Sequence, residues 1–390
     1  MSRVSARRFL TVILFVYAIL ATAIAGNLFV LWKAGELQPV DFIIREQLRT
    51  GALYNALSVG FADYKYVSYH NAAPEIVAIG TSRAMQIRKH FFVKPFYNLG
   101  GLANGPGQAN VLADRLLLQG TPPKVVIFAL DYWTFCQPAT TRSSERPPAE
   151  AESVHDGMSQ PDRYFLIYRL LIERSMSAVD LAGLVFSRHG STDTGRIGLG
   201  ARIGGSGFAP DGSIYYIARV DQIPLDRRWT EILGRMQTGT AQMIKDCTVS
   251  NRALSELKRF VDKMQAADVG VVLILAPLPG AVIEKMIAEG RYQYVHELRR
   301  LLIERYPKQF HDFFDMREIA SDNEFLDGLH GGEIVYMRAV LSAAHRVGSP
   351  LHELVDERYL RTQISLWSGH AQISNGPITP SFSASTGMVP

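Results

Sequence analysis

Short apolar runs alternate along the chain with segments in which apolar residues recur every three or four positions. The runs at 75–80, 124–131 and 269–277 are apolar at almost every position, as expected of strands buried on both faces of a parallel sheet. Leu254 and Leu257 begin a helical pattern just before the third run. The alternation predicts an α/β fold, in this case a three-layer domain with a mainly parallel sheet.

Two weaker runs and one interruption complete this pattern. Residues 96–100 and 310–315 are further candidate strands. From about 137 to 235 the alternation stops, and the chain is rich first in Ser, Pro and Glu and then in Gly. We expect an insertion there that lies over one end of the sheet, with a helix near 164–174 and a strand at 214–216.

The N-terminal segment has a different character from the rest. Residues 9–32 are 24 residues without a charge, and a helix of that length is about 36 Å long, enough to cross a bilayer. Arg3, Arg7 and Arg8 precede it. Because positive charge stays on the cytoplasmic side, we predict a cytoplasmic segment at 1–8, a transmembrane helix at 9–32, and export of the rest.

A cleaved signal peptide is the competing interpretation of this segment. Ala23 and Ala25 have the small-x-small spacing of a cleavage site, and cleavage there would release a freely secreted protein. The apolar run, however, continues to Trp32. We therefore favour an anchor, and both interpretations export the domain.

The remaining boundaries follow from composition. Residues 33–74 mix charged and apolar residues and are taken as a juxtamembrane segment, and 75–346 hold the strands and helices of the α/β domain. Residues 347–390 form a C-terminal extension. From about 367 this extension is rich in Ser, Thr, Gly and Pro, which predicts disorder.

Charge and cysteine content exclude several classes of protein. The chain has 41 Lys and Arg against 37 Asp and Glu, a net charge of +4. Three of these surplus charges precede the apolar run, so the exported part is almost neutral, which argues against nucleic-acid binding. Cys136 and Cys247 are too few for a disulfide scaffold or a cysteine-based zinc site, and whether they pair is open. No metal or other cofactor is expected.

The first candidate for chemistry follows the first strong strand. In Gly80-Thr81-Ser82-Arg83, the glycine precedes a bend at the carboxyl end of the strand, where ligands bind in such sheets. Ser82 would present its hydroxyl there, with its own N–H close by for an oxyanion. The alternative is that Thr81 and Ser82 only cap a helix.

The second candidate lies near the end of the domain. Asp327 and His330 are three residues apart, which places a carboxylate beside an imidazole on a helical turn. The carboxylate would hold one ring nitrogen and leave the other free to accept a proton from Ser82. An ordinary polar loop is the alternative for this motif taken alone.

Together these motifs resemble those of the SGNH (GDSL-like) hydrolase superfamily. Gly80-Thr81-Ser82-Arg83 is similar to the family's first block and Asp327-x-x-His330 to its last, and the resemblance covers about 75–346. It implies a flavodoxin-like sheet and a catalytic triad. In that triad Ser82 is the nucleophile, His330 the base and Asp327 the group that orients the imidazole.

The resemblance also implies an oxyanion hole, and here the sequence departs from the family. The second block supplies a glycine N–H, for which Gly101 and Gly105 are the candidates beside the N–H of Ser82. The third block normally supplies an asparagine, but Asp131 stands there. An ionised carboxylate cannot donate a hydrogen bond. Either Asp131 serves another purpose, or Asn104 or a backbone group replaces the missing donor.

More narrowly, the anchor and the two motifs resemble the membrane-anchored DltD-like and alginate-acetylation-type envelope proteins. This implies an acyl-serine intermediate and a single-pass location in a bacterial inner membrane, with the catalytic domain on the periplasmic side. It also implies a membrane-bound O-acyltransferase as partner and acylated polysaccharide or an acyl donor as substrate. Arg83 and Asp131 are candidate substrate-binding residues, and a structural salt bridge is the alternative for Arg83.

The replacement at Asp131 motivates a second hypothesis, in which the fold serves as a non-catalytic polymer-binding or assembly component of the same acylation system. Transfer and hydrolysis share the acyl-enzyme and differ only in the hydroxyl that attacks it. The sequence does not separate them.

Overall fold

The computed structural model describes residues 3–57, 60–118, 122–138, 160–186, 195–216 and 223–373. The chain divides into two compact units. The first unit comprises Met1–Tyr64, Val154–Pro210 and Ile378–Pro390, and the second comprises Lys65–Ser153 and Asp211–Pro377. The predicted insertion at 137–235 is therefore divided: its middle clusters with the N-terminal residues, and its two ends cluster with the domain predicted at 75–346.

The helices of the described residues are α1 (Arg3–Ala34), α2 (Val40–Thr50), α3 (Phe61–Ala72), α4 (Pro106–Leu118), α5 (Gln160–Arg163), α6 (Leu166–Ile172), α7 (Ala178–Phe186), α8 (Leu199–Ile203), α9 (Leu225–Thr238), α10 (Asn251–Ala266), α11 (Gly280–Glu289), α12 (Gln293–Arg305), α13 (Glu333–Ala344) and α14 (Glu357–Trp367). The strands are β1 (Leu53–Tyr54), β2 (Ile76–Gly80), β3 (Phe96–Asn98), β4 (Val125–Leu130), β5 (Cys136–Pro138), β6 (Arg196–Ile197), β7 (Ser206–Phe208), β8 (Ile214–Tyr216), β9 (Cys247–Val249), β10 (Gly270–Leu275) and β11 (Phe310–Asp312).

The first unit is built on the long helix α1. Of the described helices, this one contains a stretch, Arg7–Ala34, that is long and apolar enough to cross a membrane. Val30, Leu31 and Ala34 near its end are buried against α6, α7 and α8. In the same unit β1 pairs in parallel with β6 and antiparallel with β7.

The second unit contains a five-stranded parallel sheet with the order β11-β10-β4-β2-β3. The prediction of an α/β fold with a parallel sheet is confirmed, and each predicted strand appears within one to three residues of its expected bounds. In β2 and β4 every residue is buried, which explains why both read as unbroken apolar runs. In chain order the strands are arranged 2-1-3-4-5, the order found in flavodoxin-like doubly wound sheets.

This strand order determines where a site can form. After β2 the chain adds β3 on one side and then crosses to add β4 on the other. Loops that leave neighbouring strands in opposite directions open a crevice beyond the carboxyl ends of those strands. The crevice predicted by topology therefore lies at the ends of β2 and β4, where Ser82 and Asp131 stand.

The two cysteines, whose pairing the sequence left open, form a disulfide in the second unit. Cys136 on β5 and Cys247 on β9 form a disulfide with a Cα–Cα distance of 5.3 Å, and the two strands pair antiparallel. The two cysteines are 111 residues apart in sequence, and they precede and follow residues 154–210 of the first unit.

The C-terminal extension is more ordered than the sequence predicted. Helix α14 occupies much of it, and Ala371, beyond the predicted onset of disorder near 367, is fully buried. The carbonyl of Ala371 accepts a hydrogen bond of 2.7 Å from the N–H of Glu333, the first residue of α13. The prediction of disorder is thus wrong for 368–373, and 374–390 lie outside the described residues.

Candidate active site

Ser82 stands on a tight turn that only glycine permits. Gly80 ends β2 with φ +140°, and a Cβ there would lie 2.7 Å from the carbonyl oxygen of Ala129 on β4. Thr81 then caps a 3₁₀ turn at Ser82–Gln86, its side-chain oxygen accepting the N–H of Arg83 at 3.2 Å. The capping role that was the alternative for Thr81 and Ser82 therefore belongs to Thr81, and Ser82 itself remains exposed.

The structure brings the three predicted triad residues together. Ser82 Oγ lies 2.9 Å from His330 Nε2, and His330 Nδ1 lies 2.8 Å from Asp327 Oδ2. With Nδ1–H donated to the carboxylate, Nε2 carries a lone pair and accepts the serine hydroxyl. A serine, an imidazole and a carboxylate are thus connected by a continuous chain of hydrogen bonds across 248 residues of sequence.

Asp327 is held in position by the turn on which it lies. Its Oδ1 accepts the backbone N–H groups of Leu329 and His330, each at 2.8 Å. Burial raises the pKa of Asp327, but the hydrogen bonds from the His330 ring and from these two N–H groups outweigh it and keep the pKa below its ordinary value. The carboxylate is therefore charged and fixed beside the imidazole.

Arg83 and Asp131 form an ion pair beneath the turn. Arg83 Nη1 lies 2.7 Å from Asp131 Oδ1, and both side chains are about 1% exposed. Thr81 Oγ1 donates to the other carboxylate oxygen at 2.6 Å, and Arg83 also donates to the carbonyl of Pro277. Burial raises the pKa of Asp131, while Arg83 and Thr81 act in the opposite direction.

Both side chains are thus buried and bonded within the protein, and their roles in substrate binding stay predictions. The alternative for Arg83, a structural salt bridge, fits the geometry. The pair joins the segments that follow β2, β4 and β10 and holds the serine turn against the sheet.

The candidate oxyanion donors differ in availability. The N–H of Gly101 donates to the carbonyl of Gly80 at 2.8 Å, so the prediction for Gly101 fails because its only donor is already bonded. The N–H groups of Ser82 and Gly105 have no acceptor within the described part of the chain. Asn104 is exposed, and its backbone N–H donates to Gln108. Ser82, Gly105 and the Asn104 side chain remain as candidates.

Sequence reasoning missed the residue that connects the serine turn to the second-block loop, residues 99–105. Asn98 is fully buried, and its Nδ2 donates to the carbonyls of Ala84 and Ile87 at 2.9 and 2.8 Å. Its Oδ1 accepts the N–H of Gly100 at 2.7 Å. One side chain thus satisfies three backbone groups, and nothing in the apolar pattern around 98 signals it.

A second missed group joins the serine segment to the histidine segment. Arg88 Nε lies 3.2 Å from Glu333 Oε2, and His90 Nε2 lies 2.8 Å from Glu333 Oε1. Glu333 begins α13 three residues after His330. Burial raises the pKa of Glu333, but Arg88 and His90 outweigh it and lower the pKa. This buried cluster keeps the start of α13 beside the chain that follows Ser82.

Lys65 is a third missed residue. It is fully buried on α3, and its Nζ donates to the carbonyl of Gly100 at 2.6 Å. Burial lowers its pKa to about 7, with Asp211 acting in the opposite direction. The lysine contacts the same glycine that Asn98 holds, so it supports the second-block loop from the other side.

Because the pKa of Lys65 is lowered, we expect the free energy of unfolding to depend on pH. Between about pH 7 and 10.5 the unfolded state binds more protons at this lysine than the folded state, so the free energy of unfolding rises with pH. Compared with Lys65→Met, the wild type should gain about 2 kcal/mol of stability between about pH 7.5 and 9.5. Urea unfolding in detergent at several pH values measures it.

Lys258→Met is the matched control for this experiment. Lys258 is 69% exposed and pairs with Asp262 on the surface of α10, so its removal should leave the pH dependence unchanged. Parallel stability curves for wild type and Lys65→Met would contradict a buried lysine with a lowered pKa.

Comparisons with protein-family models, with curated proteins and with solved structures find no match to this chain. The chemistry of the site is therefore inferred from its geometry and from the motifs in the sequence.

Proposed function

We propose that this chain is a serine-dependent O-acyltransferase or esterase. It acts on acyl groups, acetyl above all, of cell-envelope or exported polysaccharide through an acyl-serine intermediate. The observation that carries the catalytic part is the hydrogen-bond chain from Ser82 through His330 to Asp327. The polysaccharide substrate and a membrane-bound O-acyltransferase as partner rest on the resemblance of the motifs to SGNH-type envelope proteins.

The geometry supports an ordinary acyl-transfer sequence. Ser82 Oγ attacks the ester carbonyl while its proton moves to His330 Nε2, and Asp327 stabilises the imidazolium that forms. The imidazolium then protonates the leaving alcohol, and an acyl-serine remains. A sugar hydroxyl or water next gives its proton to His330, attacks the acyl-serine and restores the serine hydroxyl.

The developing oxyanion needs donors that have no other acceptor. The N–H groups of Ser82 and Gly105 meet this condition among the described residues, and the exposed side chain of Asn104 is a third candidate. Each oxyanion donor contributes about 10²–10³ in rate in serine hydrolases. We assign the oxyanion role to these groups and withdraw it from Gly101.

Two observations support a location outside the cytoplasm. The helix Arg7–Ala34 is long and apolar enough to cross a membrane, and basic residues precede its apolar run. The Cys136–Cys247 disulfide is the kind of bond that forms and persists in oxidising compartments. We infer a single-pass bacterial inner-membrane protein with its catalytic unit on the periplasmic side.

One observation favours the alternative, a non-catalytic polymer-binding or assembly component. The position where SGNH hydrolases have an asparagine holds Asp131, which is bound to Arg83 and Thr81, and Gly101 is also unavailable as a donor. An oxyanion hole with fewer donors would slow chemistry without affecting the fold. The covalent reactivity of Ser82 separates the two functions.

The experiment follows labelling of the full-length protein in detergent by a serine-directed fluorophosphonate between about pH 5 and 9. His330→Ala should lower the labelling rate strongly, since no imidazole is then left to take the serine proton. The lowered pKa of Asp327 keeps that carboxylate charged across this range. Asp327→Asn should lower the rate at every pH, because an amide cannot stabilise the imidazolium that forms.

Asp315→Asn serves as the control, because Asp315 pairs with Arg317 outside the triad. It should label like the wild type. Labelling of His330→Ala at the wild-type rate would exclude His330 as the base, and absence of labelling in the wild type would favour the scaffold alternative.

A further inference from the structure

Helix α1 is longer than a membrane requires, and its two parts have different surroundings. Side chains from 7 to 22 are exposed apart from Ile13, which is intermediate, whereas Asn27, Val30 and Leu31 are buried. The buried part packs in the core of the first unit. The helix therefore passes from open surroundings into the protein between about 23 and 27.

The distance along α1 to this transition can be compared with the thickness of the bilayer. From Phe9 to Asn27 the helix rises about 27 Å at ~1.5 Å per residue, slightly less than the ~30 Å of the hydrocarbon region. If α1 spans, Asn27 lies at the far edge of that region. Whatever packs beside Asn27 then lies at the membrane interface.

Helix α6 packs beside Asn27. Asn27 Nδ2 donates to the carbonyl of Arg163 at 2.7 Å, and Asn27 Oδ1 accepts the N–H of Ile167 at 2.9 Å. Tyr168 Oη donates to the carbonyl of Ala23 at 2.9 Å, one turn nearer the membrane centre. These three bonds set the height of α6 on α1.

Most exposed side chains of α6, α7 and the residues that flank them are apolar, and Arg169, the charged residue of α6, is exposed and pairs with Glu173. We call the following exposed side chains the α6–α7 apolar face: Tyr164, Phe165, Tyr168, Ile172, Val179 and Phe186. The last three are each at least 80% exposed. A helix that is apolar on its outer as well as its inner side does not suit water, and tyrosines are enriched at the level where lipid meets water.

Charge is nearly absent from α7 but abundant on the outer side of α10. The only charged residue of α7 is Asp180, whose carboxylate accepts from the N–H and hydroxyl of Ser177. Helix α10 is also packed on one side, but its outer side carries Lys258, Arg259 and Asp262. The contrast is that of a lipid-facing and a water-facing helix.

We propose that the α6–α7 apolar face lies in the membrane interface and gives the first unit a second contact with the bilayer, beside the helix α1. The proposal rests on the proposed membrane anchoring and is independent of catalysis. The occupant is phospholipid. Lipid is favoured over a protein partner because the face continues from the span itself and is held at its interfacial end by the bonds from Asn27 and Tyr168.

Depth-dependent fluorescence quenching tests it. Both cysteines of the chain form the disulfide, so a fluorophore attached at Phe165→Cys or Phe186→Cys is unique. The full-length protein is placed in phospholipid nanodiscs with and without spin-labelled lipid. Leu48→Cys, at a residue 68% exposed on α2 of the first unit, is the matched control, and Val16→Cys reports α1.

We expect spin-labelled lipid to quench the labels at 165 and 186 at least about threefold more than the label at 48. A smaller ratio of quenching at either position overturns the proposal. A label that is shielded from water but not quenched by the lipid also overturns it, because that result would indicate a protein partner. No quenching at 16 would overturn both the span and the face. Circular dichroism confirms that each variant is folded, and serine labelling reports the proposed catalysis separately.

Discussion

Replacement of Ser82 by alanine should abolish covalent labelling by a serine-directed phosphonate and lower acyl transfer by at least about a thousandfold. The hydroxyl that His330 Nε2 accepts at 2.9 Å is the only one in the triad, and without it neither an acyl-serine nor a phosphonyl-serine can form. Stability should hardly change, because Ser82 is exposed. Intact-mass spectrometry after incubation with the phosphonate or an acetyl ester measures the adduct.

Ser255→Ala is the matched control for the Ser82 variant. Ser255 is an exposed serine on α10, and its loss should leave labelling complete. An adduct that persists in Ser82→Ala would show that another residue is the nucleophile, and the proposed mechanism would fail.

In cells, Ser82→Ala distinguishes a catalytic role of the protein from a non-catalytic scaffolding role. In a strain that lacks the protein, Ser82→Ala should restore membrane localisation but not polymer acylation, measured as ester-linked acetyl released from purified polymer. Acylation restored to the wild-type level by Ser82→Ala would favour the polymer-binding alternative. That result would leave the fold and the membrane contacts of the protein unchanged.

Arg83→Met should destabilise the protein strongly, with a loss of about 3–5 kcal/mol in the free energy of unfolding. The substitution keeps the apolar stem and removes the guanidinium, so Asp131 is left buried without its ionic partner. Among the described residues, Thr81 Oγ1 then remains as the one donor to this carboxylate. Denaturant unfolding of the full-length protein in detergent measures the loss.

Two further variants make this prediction specific. Arg317→Met removes a partly exposed arginine that pairs with Asp315 at 2.8 Å, and it should cost less than about 1 kcal/mol. Arg83→Met with Asp131→Leu removes both charges and should recover part of the lost stability, because no isolated buried carboxylate remains. A double variant less stable than Arg83→Met alone would contradict the explanation.

The strands were the most predictable part of the fold. A strand buried on both faces has an apolar residue at nearly every position, so β2, β4 and β10 are visible in the sequence one by one. The division into two units was not predictable. It depends on contacts between Met1–Tyr64 and Val154–Pro210, which are distant in sequence and have no shared local pattern.

The site shows the same division between local and long-range information. Ser82, Asp327 and His330 belong to short motifs whose residue types already suggest acyl transfer. The roles of Arg83, Asp131 and Gly101 could not be assigned in this way. Each depends on whether a donor or charge is already bonded to something else, and those partners come from other strands.

The sequence by itself determined the apolar strands, the long N-terminal apolar helix and the identity of the candidate nucleophile, base and orienting carboxylate, because periodicity and residue chemistry are local properties. Only the tertiary structure decided that Ser82 and His330 lie 2.9 Å apart, that Cys136 pairs with Cys247, and that Arg83 faces inward. Each of these depends on chain segments meeting across a parallel sheet or a strand pair. Such meetings are selected by the packing of the whole unit, which no single stretch of sequence encodes.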